Sequence, residues 1–484
     1  MGEFHISSLG ATCEENDRER KNVGIFHISK GQRQEEMSKN SGNTTGFGLF
    51  AALLWFIASL SLSGAFDPMD PNGNITIKWD VMDWTDDGYQ AMVTILNFEQ
   101  YRHISSPGWR LGWTWEKREV IWWMQGAQAI EQGNCSEFKK NLPHCCKRNP
   151  VIVDLLPGTN FNKQAPNCCR GGVLSSRVQD SSRAVSSFQL AVGCAKNTLS
   201  TVIPPVNFMI SGPGPGYTCS NPINGNVSIF IDPDGRRTTE ALKSWNVTCI
   251  YSQTLAHKGP TCCVSLSSFY NPDIVPCPLC SCSCQDMPSL AGQCVNGNSS
   301  VLEMHTSKSP LEEAKDIVRC TRHMCPVRIH WHVMLSYKHL WRVKITLNNF
   351  NHAKNYTDWN LVAQHPNLGS INQVFSFNYQ PLDRYGGTVN DSGMFWGIKG
   401  YNDILLQGGN VQTDILLNKD QGAFTFSHGW AFPRRIYFNG DDCVMPPPDA
   451  YPTLPNGSLP APLDSALSLV LVGFLSVLVL LLGV

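Results

Sequence analysis

Two seven-residue stretches alternate apolar and polar residues in step, 252 positions apart (331 − 79 = 252): Ile75-Thr76-Ile77-Lys78-Trp79-Asp80-Val81 and Val327-Arg328-Ile329-His330-Trp331-His332-Val333. A period of two gives a strand one apolar and one polar face. At the same offset Val93-Thr94-Ile95-Leu96-Asn97-Phe98 meets Ile345-Thr346-Leu347-Asn348-Asn349-Phe350, and Trp109 matches Trp359 at an offset of 250. The pattern is that of a diverged duplication. The chain is therefore expected to be all-β, with two related β-sandwich domains. Further strands are expected at Ala91 to Phe98, Glu119 to Met124 and Phe188 to Val192, with Asp86-Asp87-Gly88 as a turn. Only 16% of residues are charged, whereas Gly (40), Pro (30) and Trp (14) are plentiful, which fits short strands and many turns.

Cysteine sets the compartment. Of 19 cysteines, 18 lie between Cys135 and Cys443, many in close pairs. Secreted chains use such numbers as disulfides. The disulfide candidates are Cys135, Cys145, Cys146, Cys168, Cys169, Cys219, Cys249, Cys262, Cys263, Cys277, Cys280, Cys282, Cys284, Cys294, Cys320, Cys325 and Cys443. Neighbouring cysteines do not bridge each other easily, so each doublet is expected to reach two different strands. Cys194 stands apart and is the expected free thiol. The Cys277-to-Cys294 cluster would suggest zinc in a cytosolic chain, but in a secreted one it reads as disulfides, with no metal.

Both ends carry apolar runs. Phe47 to Leu62 followed by Ser63-Gly64-Ala65 reads as a signal peptide, residues 37–65, starting at Met37 and cut after Ala65. Residues 1–36 then form an extension ahead of the true start; the rival is an uncleaved anchor. At the other end Asn456-Gly457-Ser458, a spacer to Ala466 and an uncharged run from Leu467 to Val484 fit a GPI-attachment signal. Asn456 is then the lipid-bearing residue, 457–484 the removed propeptide and 445–456 a Pro-rich stalk; the rival is a spanning tail. N-glycosylation sequons stand at Asn74, Asn134, Asn226, Asn246, Asn298, Asn355 and Asn390, and at Asn456 itself. Between these ends we expect a first sandwich at 66–202, a Gly/Pro linker at 203–218, a Cys-rich region at 219–319 and a second sandwich at 320–444. A net charge of −1 gives no reason to expect nucleic acid as a partner.

Seven of the tryptophans (Trp79, Trp84, Trp109, Trp113, Trp115, Trp122 and Trp123) fall within 45 residues. Flat aromatic faces stack on sugar rings, and they also dominate protein cores, so either role is open to them. Asp80, Asp83, Asp86 and Asp87 raise the alternative of a glycan-processing enzyme, which needs two carboxyl groups facing one bond. His330 and His332 share one strand face, but no further ligand stands at a recognisable metal spacing.

Several segments together resemble the plant COBRA-like family: Gly73-Asn74-Ile75-Thr76-Ile77-Lys78-Trp79-Asp80, Pro107-Gly108-Trp109, Leu111-Gly112-Trp113-Thr114-Trp115, Cys262-Cys263-Val264-Ser265, Cys320-Thr321-Arg322-His323-Met324-Cys325-Pro326 and Tyr401-Asn402-Asp403. The resemblance covers about residues 66–484. It implies a GPI-anchored, non-enzymatic glycoprotein on the extracellular side of the plasma membrane and in the cell wall. Such proteins act in cellulose deposition and microfibril orientation. Its N-terminal part is similar to a carbohydrate-binding module, so the resemblance makes Trp79, Trp109, Trp113 and Trp115 cellulose-binding candidates, and Trp84 and Trp123 of the same cluster join them. Cellulose and the outer leaflet are the expected partners, with no cofactor. An adhesion or receptor module for another wall component is the remaining alternative.

Overall fold

The computed structural model describes residues 67, 69–195, 202–212, 214–231, 235–256, 261–277, 327–350, 354–382, 391–419 and 431–452. The expected extension, signal peptide and C-terminal tail lie outside them, as do Asn298, Asn390 and Asn456 and the cysteines from Cys280 to Cys325. Among the described residues no helix is long and apolar enough to cross a membrane. The chain divides into two units at residues 257/258.

The first unit runs through β1 (Ile75–Trp84), β2 (Tyr89–Asn97), β3 (Arg110–Thr114), β4 (Val120–Gln125), β5 (Ala127–Ala129), β6 (Val151–Asp154) and β7 (Val185–Gly193). It ends with β8 (Val206–Ser211), β9 (Tyr217–Cys219), β10 (Ile223–Asn224), β11 (Ile229–Ile231), β12 (Thr238–Glu240) and β13 (Lys243–Tyr251). One sheet has the order β10-β13-β1-β2-β7-β4, with β9 also on β13; a second is β5-β6-β3-β8, and β11 pairs with β12 apart from both. The alternation of β1 explains its place. Ile75, Ile77, Trp79 and Val81 are fully buried and join Leu111, Trp113 and Ile210 from the smaller sheet in one core.

The second unit contains β14 (Cys262–Ser268), β15 (Asn271–Val275), β16 (Val327–Ser336), β17 (Leu340–Asn349), β18 (Tyr356–Thr357), β19 (Asn360–Gln364) and β20 (Ile371–Val374). It continues with β21 (Asn378–Pro381), β22 (Ser392–Trp396), β23 (Ile404–Leu405), β24 (Asn410–Asn418), β25 (Arg435–Phe438) and β26 (Asp441–Asp442). Its larger sheet is β15-β14-β16-β17-β24-β20 and its smaller one β21-β22-β19-β25-β26, and their residues share a second core.

The duplication reaches the irregularities. Both central hairpins slip register at the same place, between Val81 and Asp83 in β1 and between Val333 and Leu335 in β16. Both second strands end in a buried asparagine whose amide bonds the carbonyl five residues on: Asn97 to Arg102 at 3.0 Å and Asn349 to Lys354 at 2.8 Å.

The expected boundaries shift. Residues 203–218 are not a connector, because β8 pairs with β3 and β9 with β13 inside the first sandwich. Nor is 219–319 one separate body. β13 lies beside β1 and belongs to the first unit, while β14 runs parallel to β16 in the second.

Candidate functional site

Four of the six tryptophans expected to meet a ligand are in the core. Trp79, Trp109, Trp113 and Trp115 are each 1% exposed. Trp79, Trp113 and Trp115 meet edge to face, with centroids 5.2, 6.0 and 5.5 Å apart, and Trp109 stacks on Phe188 at 5.9 Å. Each such pair contributes roughly 0.5–1.5 kcal/mol beyond area burial. Their faces are covered by protein, so they are not available to a polymer. Pro107-Gly108-Trp109 is likewise a packing device. Gly108 has φ +93°, and a Cβ there would lie 2.0 Å from the Gly171 carbonyl oxygen.

Trp84, Trp122 and Trp123 are half-buried. Trp84 packs against the core beside Tyr89. Trp122 lies over Gly193 and donates its Nε1–H to Asp87 at 3.1 Å. Trp123 sits past a register shift in β4 and pairs with Ala191, which pairs with Gln90. Below that row come Gln125, Gln189 and Met92, then Ser187, Thr94 and Lys78. On this outward half of the larger sheet Trp123, Gln90, Gln125, Gln189, Thr94 and Lys78 are half-buried, while Ala191, Met92 and Ser187 between them are buried. Its other half is closed. Asp80 is 1% exposed and accepts the hydroxyls of Ser228 (2.7 Å) and Ser244. Asp83 accepts the Trp84 backbone N–H at 2.9 Å, and Asp87 also holds the Cys194 N–H. The carboxylates of Asp80, Asp83 and Asp87 thus serve turns and strand edges.

Beside the open half stands a loop that sequence reading passed over, residues 155–171. Asp154, at the end of β6, gathers its far end: its carboxylate accepts N–H groups from Cys169 (2.8 Å), Arg170 (2.9 Å) and Gly172 (2.8 Å). The middle of the loop is joined to the end of β4: Gln125 Nε2 donates to the Gln164 carbonyl at 2.6 Å, and N of the following Gly126 to that of Lys163 at 2.8 Å. Cys168 and Cys169 are bonded to each other, contrary to the expectation for doublets. Asn167 and Cys169 turn the chain with φ +60° and +69°. Phe161 is 88% and Leu156 71% exposed.

The other described disulfides are Cys135–Cys146, Cys219–Cys249, Cys262–Cys443 and Cys263–Cys277. Cys262 and Cys263 do reach two different partners. Cys145, expected in a disulfide, is the free cysteine among the described residues, and Cys194 is disulfide-bonded. Cys145 pairs its backbone with Ile121 and points its thiol at the Glu131 carbonyl, 3.3 Å away; burial raises its pKa. Of the described sequons, Asn134, Asn226 and Asn355 are exposed, Asn74 is half-exposed and Asn246 lies within β13.

Two polar clusters remain. On the second unit Ser265, His330, Ser267 and His332 form a hydrogen-bonded ladder across β14 and β16, with steps of 2.6, 2.8 and 2.6 Å. Burial, then the neighbouring charge of His332 and Arg328, lowers His330 to about 4. Both ring nitrogens of His330 are taken by serine hydroxyls, and among the described residues no cluster of three or more metal-ligating side chains exists. In the first unit Glu99, Arg102 and Asp67 are packed with Tyr217 and Tyr251. Tyr217 Oη donates to Glu99 at 2.9 Å, Arg102 bonds Asp67 at 3.1 Å and lies 3.7 Å over the Tyr251 ring. Burial raises Glu99 to about 7. The Glu99-x-x-Arg102 spacing was the one sequence signal for this cluster.

Comparison with known proteins places these features. A model of the COBRA N-terminal domain matches residues 89–252, and a model of the COBRA family C-terminal domain matches 261–452. The break between them falls where the structure divides. COBRA-like protein 3 of Oryza sativa subsp. japonica is 60% identical over 397 residues, 81% of this chain and 87% of that protein. Protein COBRA of Arabidopsis thaliana is 58% identical over 416 residues, 84% and 91% of the two chains. COBRA-like protein 2 of Arabidopsis thaliana is 56% identical over 442 residues, 90% and 99%.

Proposed function

This chain belongs to the COBRA family, and from that premise we propose that it is a non-catalytic, GPI-anchored extracellular glycoprotein that binds cellulose and guides the deposition and orientation of microfibrils. The observation that carries the reading is the open half of the larger sheet in the first sandwich. Its outward side carries Trp123, Gln90, Gln125, Gln189, Thr94 and Lys78, each half-buried. A glucan chain has apolar ring faces and a rim of neutral hydroxyls, which calls for an aromatic face edged with amides and hydroxyls rather than for a charged groove. Five disulfides among the described residues, bonds that persist in an oxidising compartment, support the extracellular side. The uncharged run to Val484 reads as the signal for lipid attachment at Asn456; it is removed in that step and the lipid becomes the tether. Held at the outer leaflet, the protein restricts a bound chain to the membrane surface. The aspartates that an enzyme would use serve structural bonds instead, which favours binding over hydrolysis.

The test uses the full chain made in a secretory host. A GPI-specific phospholipase is expected to release it from membranes, and the released protein to be retained on crystalline cellulose. Retention no greater than on a non-glucan support refutes cellulose binding; persistence in the membrane, with a control protein released, refutes the lipid anchor.

A further inference from the structure

We infer that the loop at 155–171 is the stacking element of the cellulose-binding surface, with Phe161 and Leu156 as its contact residues and an uncharged β-glucan as its ligand. The inference rests on the cellulose reading above and places its main contact at residues for which no role has been assigned.

The loop is built to hold a shape. One carboxylate, Asp154, accepts two of its backbone N–H groups and that of Gly172 just beyond it, and the bond between adjacent cysteines closes the same turn. Gly171 N returns to the Leu155 carbonyl at 2.9 Å, and Gln164 Nε2 to that of Thr159 at 2.7 Å. A loop ordered before binding loses little entropy when it meets a ligand. On this frame Phe161 and Leu156 point to solvent, 88% and 71% exposed. Folding gains nothing from that exposure.

The surroundings select the occupant. Phe161 lies between Asn160 and Asn162, and Gln164 and Asn167 follow, all exposed. Side-chain amides bond neutral hydroxyls in either sense, as donor and as acceptor. Lys163 is the one charged residue from Leu155 to Cys169, so the loop offers little to an acidic polymer or to an anionic membrane. No sequon occurs between Asn134 and Asn226, so the loop itself carries no glycan. Its bonds to β4 set it against the open half of the sheet, alongside Gln125. Trp79, Trp109, Trp113 and Trp115 are occupied in the core, and Phe161 takes over the aromatic contact.

The experiment compares the full chain with Phe161→Ala and with the double variant Leu156→Ser, Phe161→Ala, in depletion isotherms on crystalline cellulose. Affinity is expected to fall on the order of tenfold for Phe161→Ala, as for the loss of one central aromatic contact, and further for the double variant. Thermal melts are expected to be unchanged, because both side chains are exposed. If the parent protein binds and the double variant binds equally well, the loop is not the contact and the inference is overturned while the cellulose reading stands. If the parent protein itself does not bind, the cellulose reading falls and the inference with it.

Discussion

The central hairpins of the two sandwiches, β1–β2 and β16–β17, superpose in register, bulge and terminal asparagine, yet their flanks are built differently. In the first unit β1 is bordered by β13, an antiparallel strand from the end of the domain. In the second, β16 is bordered by β14, a parallel strand from its beginning. The tryptophans at equivalent positions differ in a related way. Trp331 donates its Nε1–H to the Ala431 carbonyl at 3.0 Å and Trp359 to that of Asn402 at 2.8 Å. Trp79 and Trp109 are equally buried, but their Nε1 atoms find no acceptor and rest among other rings. Trp79 and Trp331 occupy one place in one repeated framework, so packing accounts for the residue type at both. The surface above each framework is where the halves part: the first has an open amide-lined half and the Asp154 loop, the second the serine–histidine ladder.

The strongest way to break this comparison is to remove the shared ring. Trp79→Ala and Trp331→Ala should each destabilise their own unit by about 3–5 kcal/mol, the usual cost of a large buried cavity. Trp79→Ala should cost more, since Trp113, Trp115 and Phe208 all lose a neighbour. Denaturant unfolding of the full chain, with hydrogen exchange of β2 and β17 amides to assign each transition, measures both. An unchanged first transition in Trp79→Ala would refute the core assignment.

Next in size are the paired asparagines. Asn97 bonds the Arg102 and Ser175 carbonyls at 3.0 and 2.9 Å, and Asn349 those of Lys354 and Leu405 at 2.8 and 3.4 Å. Alanine at either site leaves buried carbonyls unpaired, at about 1–3 kcal/mol each. Asn97→Ala should be the worse of the two, because both of its bonds are short. Equal losses, read from the same unfolding curves, would show that the longer contact of Asn349 matters as much as the shorter one.

The buried titrating groups should give the two units opposite pH slopes. Glu99 has its pKa raised by burial from an ordinary 4.5 to about 7. The folded state therefore holds a proton that the unfolded state releases, and this stabilisation, complete below about pH 4.5, is lost as pH rises to about 7. A shift of this size corresponds to at most about 3 kcal/mol. His330 is shifted the other way, from 6.5 to about 4, so its contribution is present above pH 6.5 and lost as pH falls toward 4. That effect is smaller, because the ring is partly exposed and screened. Unit-resolved stability between pH 4.5 and 6.5 should fall for the first sandwich and rise for the second. Glu99→Gln should flatten the first slope; a slope that survives the change belongs to another group.

The repeat, the strand alternation and the all-β class were legible because they depend on local period. A period of two also put Trp113 and Trp115 on one face, but it does not say which of two faces is the core, and that decided their role. The β8 segment, Val206–Ser211, buries Phe208 and Ile210 and exposes Met209. Its alternation was hidden between Pro205 and the Gly/Pro run from Gly212, so it read as a connector. The pairing of β13 with β1 closes a sheet between residues far apart in the chain, and no local pattern carries that information. Cys145 and Cys194 exchanged roles for the same reason: thiol pairing depends on which strands become neighbours. The loop at 155–171 left only a weak trace, a phenylalanine set among amides, since exposure is a property of the finished surface.

The smallest expected effect concerns the sequons, which separate the two units by how their asparagines are held. Asn355 in the second unit is exposed, with its Oδ1 accepting the Gln407 N–H at 2.7 Å. Asn226 in the first is exposed as well. Asn246 instead lies between β1 and β10, opposite Lys78 and Ile223, with Gly225 folded over its amide. A Cβ on Gly225 would come within 2.7 Å of Asn246 Nδ2, the atom to which a glycan attaches. A sugar there has to displace β10, so the secreted, folded protein should carry glycans at Asn226 and Asn355 and none at Asn246. Glycopeptide mass spectrometry reads this directly. Asn226→Gln and Asn355→Gln should each remove one glycan mass and move stability by no more than about 0.5 kcal/mol, as exposed substitutions do. Asn246→Gln should remove no mass. A glycan found at Asn246 would mean that β10 closes on β13 only loosely, which would shift the edge of the first sandwich from β10 to β13.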